Sequence, residues 1–127
     1  MTTLSLPVLD LIAKAIEAHA TAIDIKISIN TAEDQLSIVI KDNGTNMRRT
    51  EGPGMLSLRQ AALTTGGSVA IDFTYGQGTI INAMFCLSRI DQMPIGNITS
   101  TLDTFIFLYD YITISYTYSF NNVTFTF

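Results

Sequence analysis

Charge is scarce in this chain. Asp, Glu, Lys and Arg make up 14% of its 127 residues, and the formal net charge is −4. The basic residues form no stripe, and Arg48-Arg49 is the one adjacent basic pair. Nucleic-acid binding needs a basic face that neutralises phosphates, so the composition argues against such a partner. Cysteine is scarcer still. Cys86 stands alone, so no internal disulfide can form, and a cytoplasmic compartment is expected. It lies in an apolar run, Ala83-Met84-Phe85-Cys86-Leu87, and reads as a buried structural thiol. No uncharged apolar run is long enough to span a bilayer, so no membrane partner is expected. Residues 1–20 have no basic leader region and carry Asp10, Lys14 and Glu17. Repeats and low-complexity tracts are lacking too. One domain over residues 1–127 is expected, large enough to bury a core without a disulfide or metal staple.

What is present is periodicity. Residues 5–20 read as a helix, with Leu9, Ile12, Ala13, Ile16 and Ala20 at helical spacing towards a core. Ser5 suits the N-cap and Pro7 the first turn. Asp10, Lys14 and Glu17 share another face. Residues 22–30 alternate, with Ile23, Ile25, Ile27 and Ile29 pointing one way, which predicts a half-buried strand. After a turn at 31–35, Leu36, Ile38 and Ile40 alternate again and complete a hairpin. A second helix is expected over 54–64, closed by Gly66-Gly67. Strands follow at about 68–74 and 79–87. Residues 98–109 carry a helical stripe of Leu102, Phe105, Ile106 and Tyr109. An aromatic and β-branched hairpin at 111–119 and 123–127 turns at Asn121-Asn122. Helix and hairpin thus alternate three times. That order predicts a two-layer α/β (α+β) sandwich: one mixed or antiparallel sheet with helices on one face.

Three glycine-bearing segments lie at strand or helix ends: Asp42-Asn43-Gly44, Gly52-Pro53-Gly54-Met55 and Gly76-Gln77-Gly78-Thr79. Singly, a glycine in a turn signals only a positive φ. Their order says more. A strand-end Asp can accept a hydrogen bond from an exocyclic amine. Glycines beside it let a flat base approach the backbone. A glycine pair opening a helix leaves free N–H groups for phosphate.

In that order the segments resemble the motif boxes of the GHKL, or Bergerat-fold, ATPases (the gyrase, Hsp90, histidine kinase and MutL type). Residues 9–18, Leu-Asp-Leu-Ile-Ala-Lys-Ala-Ile-Glu-Ala, look like the N box. Residues 42–47 look like the first glycine box. Gly52 to Met55, through Ala61-Ala62, looks like the second. Gly76 to Thr79 looks like the last. The likeness covers residues 6–87, within a core of about 5–88. Residues 89–127 look like the helix-hairpin extension of small stand-alone bacterial ATP-binding proteins of this superfamily. The resemblance implies an ATP or ADP site. It assigns Asp42 to the adenine amine and Gly44 to room for the base. Gly52 and Gly54 would line the phosphates, and Thr79 would stand on the adenine side. Asp10 takes the place of the carboxylate that orients the attacking water.

The departures from the pattern imply weak or lost hydrolysis. Lys14 replaces the asparagine that holds Mg²⁺, and a charged lysine has no acceptor to ligate a metal. Asn46 replaces a glycine of the first box. Residues 47–51 are all that stand where the family has a long lid. Lys14 either supplies the positive charge that Mg²⁺ would bring or forms a surface ladder with Asp10 and Glu17. Arg48 and Arg49 either clamp a phosphate or are solvated. His19 fits a charge-dipole role at a helix end. Met47, Met55, Met84 and Met93 read as packing residues. The alternative reading is a protein-interaction module that kept the fold and lost the nucleotide. The uncharged last hairpin invites a homodimer by edge pairing.

Overall fold

A computed structural model describes residues 5–17, 19–44, 53–74, 77–89, 103 and 111–126. Helix α1 spans Ser5–Glu17, and strands β1 (Ala22–Asn30) and β2 (Gln35–Asp42) follow. Helix α2 spans Pro53–Thr65, then β3 (Ser68–Thr74) and β4 (Gly78–Cys86), with a short 3-10 turn at Leu87–Arg89. Strands β5 (Thr113–Phe120) and β6 (Val123–Thr126) form the last hairpin. The helix expected over 98–109 falls, apart from the helical Asp103, outside the described residues. Among the described residues no helix is long and apolar enough to cross a membrane.

The six strands form one sheet in the order β3-β4-β2-β1-β5-β6. Every pairing is antiparallel except β1 with β5, which makes the sheet mixed. Alternation decides which face is buried. Ile23, Ile25, Ile27 and Ile29 of β1 are buried, while Lys26 and Ser28 are exposed. The register aligns these rows across strands. Ile38 lies opposite both Ile27 and Ala83, and Ile40 opposite both Ile25 and Ile81. Helix α2 brings Met55, Leu58 and Ala62 to the same core, and α1 brings Leu11, Ile12 and Ala15. The sheet thus has one helix-covered apolar face and one polar face, the two-layer architecture that buries one side of each element.

The stripe of α1 is turned by about one position from the expected one. Leu11 and Ala15 are buried beside Ile12, whereas Ala13 and Ile16 are only half-buried. The side chain of Leu9 lies outside the described residues. Lys14 Nζ stands 3.6 Å from the Glu17 carboxylate on the solvent side of the helix.

The helix also stops short of residue 20. His19 takes φ 66° and its N–H donates to Ile16 O at 3.1 Å, while Ala20 N–H donates to Ala15 O at 3.1 Å. Those two bonds, with a left-handed residue between helix and strand, make a Schellman cap. Helix α2 ends the same way. Gly66 has φ 79°, Gly66 N–H reaches Leu63 O at 3.4 Å and Gly67 N–H reaches Ala62 O at 2.7 Å. One cap uses the glycine this geometry favours and the other uses histidine. An exposed histidine serves here as a chain-reversal residue. His19→Gly is therefore expected to raise stability by about 1 kcal/mol, read as a higher urea midpoint with unchanged slope. A loss of stability would show that the imidazole has another role.

Candidate functional site

The strand ends carry the site residues that the described structure brings together. Asp42 closes β2, and its register partners are Ile23 on β1 and Thr79 on β4. Both polar side chains are buried on the helix-covered face, Asp42 at 5% exposure and Thr79 at 0%. Polar groups this deep in an apolar sheet are costly unless paired. One oxygen of Asp42 accepts the N–H of Gly44 at 2.8 Å, which folds the chain back over the carboxylate. Thr79 Oγ1 is buried and has no hydrogen-bond partner among the described residues. A buried hydroxyl left unpaired calls for an explanation, and a ligand that supplies the missing partner is one.

The neighbouring positions explain how this corner is held. Asn43 accepts the N–H groups of Thr21 and Ala22 through Oδ1, at 2.8 and 3.0 Å. Its Nδ2 donates to Thr21 Oγ1 at 2.9 Å. Asn43 thus bolts the end of β2 to the start of β1, a structural role inside the segment that resembles a first glycine box. Gly78 has φ 119°, and a Cβ there would run into the backbone of Asp42 and Asn43. Its lack of a side chain lets β4 lie tightly enough for Thr79 to stand opposite Asp42.

The other expected site residues are spread more widely. Gly54 is the second residue of α2, at the helix start. Gly52, Arg48 and Arg49 lie outside the described residues, as do Asn46, Gly76, Met47 and Met93. Asp10 and Lys14 are half-buried on α1, which packs beside α2. Among the described residues no group of three or more His, Cys, Asp and Glu side chains stands together as a metal site. A cavity of about 230 Å³ opens at the same strand ends, lined by Asp42 together with Asp24, Lys41, Asn43, Gln77 and Ser115 among others. Asp24, Lys41 and Ser115 belong to the polar face and Asp42 to the helix-covered face, so the hollow sits around the strand ends and includes the candidate aspartate.

The opposite end of the sheet holds a clamp with no counterpart in the sequence analysis. Asp34, in the β1–β2 turn at φ 55°, accepts Ser88 N–H and Ser88 Oγ–H, each at 2.8 Å. Cys86 donates its thiol proton to the same carboxylate at 3.0 Å. Cys86 is therefore structural but half-buried, not the buried thiol expected, because it points to the polar face. Met84 shares that face and is 37% exposed, so it too departs from the expected packing role, whereas Met55 keeps it at 2%. The hydrogen bonds from Cys86 and Ser88, and then the charge of Arg89, hold the Asp34 carboxyl below the ordinary aspartate range. A depressed pKa means that the clamp stabilises the fold above the unfolded value and is lost as pH falls through the folded one. Asp34→Asn is expected to be less stable than wild type at neutral pH. The gap should close below about pH 4 in urea titrations. A gap independent of pH would remove the charge from this account.

No family model and no curated protein matches the sequence. Solved structures do match. The N-terminal domain of a DNA repair protein superposes with a TM-score of 0.70 at 14% identity, covering 99% of this chain and 52% of that one. The topoisomerase IV ATP-binding domain of Francisella tularensis, in complex with a small-molecule inhibitor, gives 0.52 at 15% identity over 95% of this chain and 83% of that one. The histidine kinase domain of the blue-light activated histidine kinase from Erythrobacter litoralis gives 0.51 at 22% identity over 66% and 46%. The chain has the GHKL-type fold. It spans about half the length of the DNA repair domain and of the kinase domain. Within the GHKL-type sheet, Asp42, Gly44 and Thr79 cluster at one end of β2 and β4.

Proposed function

We propose that this GHKL-type domain binds an adenine nucleotide, ATP or ADP, and hydrolyses it weakly or not at all. The observation that carries the reading is the pair of buried polar groups, the Asp42 carboxylate and the unpartnered Thr79 hydroxyl, set opposite each other at the strand ends. In this reading Asp42 accepts the exocyclic amine of the base, and Thr79 bonds the ring edge directly or through a water. Gly44 leaves room for the ring. Gly52 and Gly54 hold the phosphates at the start of α2, where free N–H groups favour anions.

The residues present do not fit Mg²⁺. The position that should offer an oxygen is Lys14, whose ammonium lies 3.6 Å from Glu17. Asp10 would be the water-orienting carboxylate, and Lys14 one turn on competes for it. Such a site holds a nucleotide better than it cleaves one.

A second reading, an interaction module without nucleotide, rests on a different observation. Leu56 and Leu63, on the outward face of α2, are 58% and 81% exposed. A helix that shows two leucines to solvent suits a protein partner.

Thermal melting with ATP or ADP, with and without Mg²⁺, separates the readings. Nucleotide at about 100 times Kd should stabilise the protein by about 2.7 kcal/mol. The shift should not need Mg²⁺ and should vanish in Asp42→Asn. No shift at millimolar nucleotide would reject the binding reading and leave the interaction module.

A further inference from the structure

The sheet's two edges are unlike. At one end β3 carries Asp72, a charge of the kind that discourages edge pairing. At the other, β6 reads Val-Thr-Phe-Thr, and residues 111–126 contain no charged side chain at all. Proline and bulges, the other common protections, are absent from β6 as well. All four of its residues are exposed.

The hairpin fixes which groups β6 offers. The pair Phe120–Val123 closes a two-residue turn, Asn121-Asn122, and so exchanges its backbone hydrogen bonds. Val123 and Phe125 therefore direct their N–H and C=O groups to β5. Thr124 and Thr126 turn theirs outwards. The turn itself is anchored. Asn121 N–H donates to Ile29 O at 2.8 Å, and Asn121 Oδ1 accepts from Thr31 N–H at 3.0 Å. The edge is thus a held template.

Side chains repeat the message. Phe125 continues an apolar row that runs from Val69 through Ala83, Ile38, Ile27 and Tyr118. It stacks on Tyr118 with ring centroids 6.2 Å apart. Phe125 remains 48% exposed, with Phe120 at 42% and Val123 at 54% beside it.

We infer that β6 pairs with β6 of a second copy, antiparallel about a two-fold axis at Phe125. Thr124 then exchanges hydrogen bonds with Thr126 of the second copy, and Thr126 with its Thr124. The two Phe125 rings meet as a non-hydrogen-bonded cross-strand pair, where side chains come closest. A second copy is the occupant that fits, because the row of donors and acceptors is self-complementary under that axis. An uncharged face also spares two acidic molecules any like-charge contact. The contact is short, so the dimer is a weak one, with Kd in about the micromolar to millimolar range.

Sedimentation equilibrium of the full chain over rising concentration tests this. The expected result is a mass moving from monomer towards dimer. Thr126→Pro removes an outward N–H without touching the β5 ladder, and Phe125→Lys sets a charge on the axis. Both should stay monomeric with unchanged far-UV circular dichroism. A wild type that is monomeric throughout overturns the inference. So does a dimer that survives in Thr126→Pro, or growth beyond dimers. If Phe125→Lys alters the circular dichroism, the Thr126→Pro result decides.

Discussion

Gly78→Ala is expected to destabilise the protein by about 3 kcal/mol or more, a large loss for the addition of one methyl group. Two costs add. The residue has φ 119°, a conformation that L side chains rarely adopt. The added methyl would also collide with backbone atoms of Asp42 and Asn43, which cannot swing aside as a side chain could. Gly66 supplies the control. It has φ 79°, yet a Cβ there would meet nothing within 4 Å. Gly66→Ala should therefore cost only about 1 kcal/mol, the strain of a left-handed residue alone. Urea titration of both variants gives the comparison. Equal losses would mean that the close approach of β4 to Asp42 is not what Gly78 provides. The expected difference ties Gly78 to strand packing, with the candidate site at Asp42 and Thr79 gaining from it only indirectly.

That distinction bears on how much could be read from the sequence. The isoleucine alternation of β1 and the glycine cap of α2 are local signals, and the structure carries both as expected. The histidine cap at residue 19 is the same motif in a residue that gives no such signal. The residues of the candidate site were named from the sequence, but not how they meet. Asp42 and Thr79 lie 37 residues apart in sequence, and a motif resemblance joined them. Their face-to-face register is a property of the β2–β4 ladder. What stayed hidden is long-range and made by side chains. Asn43 tied to Thr21, Asp34 to Ser88 and Asn121 to Thr31 each join segments that are remote in sequence. Asn and Asp in turns predict only local bonds, so their distant partners leave no pattern. A mixed or antiparallel sheet was expected and the sheet is mixed, but which pair of strands runs parallel was hidden for a similar reason. Hairpin spacing predicts antiparallel neighbours, whereas β5 enters beside β1 in parallel after a long connection.

Thr79→Val should have two opposite effects, and their opposition is what makes it informative. Valine keeps the branched shape and strand preference of threonine but removes the buried hydroxyl. That hydroxyl has no partner among the described residues, so its desolvation is uncompensated. The variant without ligand should be more stable than wild type by about 1–2 kcal/mol. If the hydroxyl serves the adenine side of a nucleotide, the same change should weaken ATP or ADP binding by about tenfold, or about 1.4 kcal/mol. Melting curves with and without nucleotide give both numbers on one sample. Lower stability without ligand would show that the hydroxyl is satisfied in solution, and the reading of an expectant site would fall. Higher stability with unchanged affinity would detach Thr79 from the base. Higher stability with no nucleotide response in either protein is the outcome expected of an interaction module. A stabilising substitution that costs binding would mark Thr79 as a residue retained at the expense of the fold, which is how a ligand site differs from a packing defect.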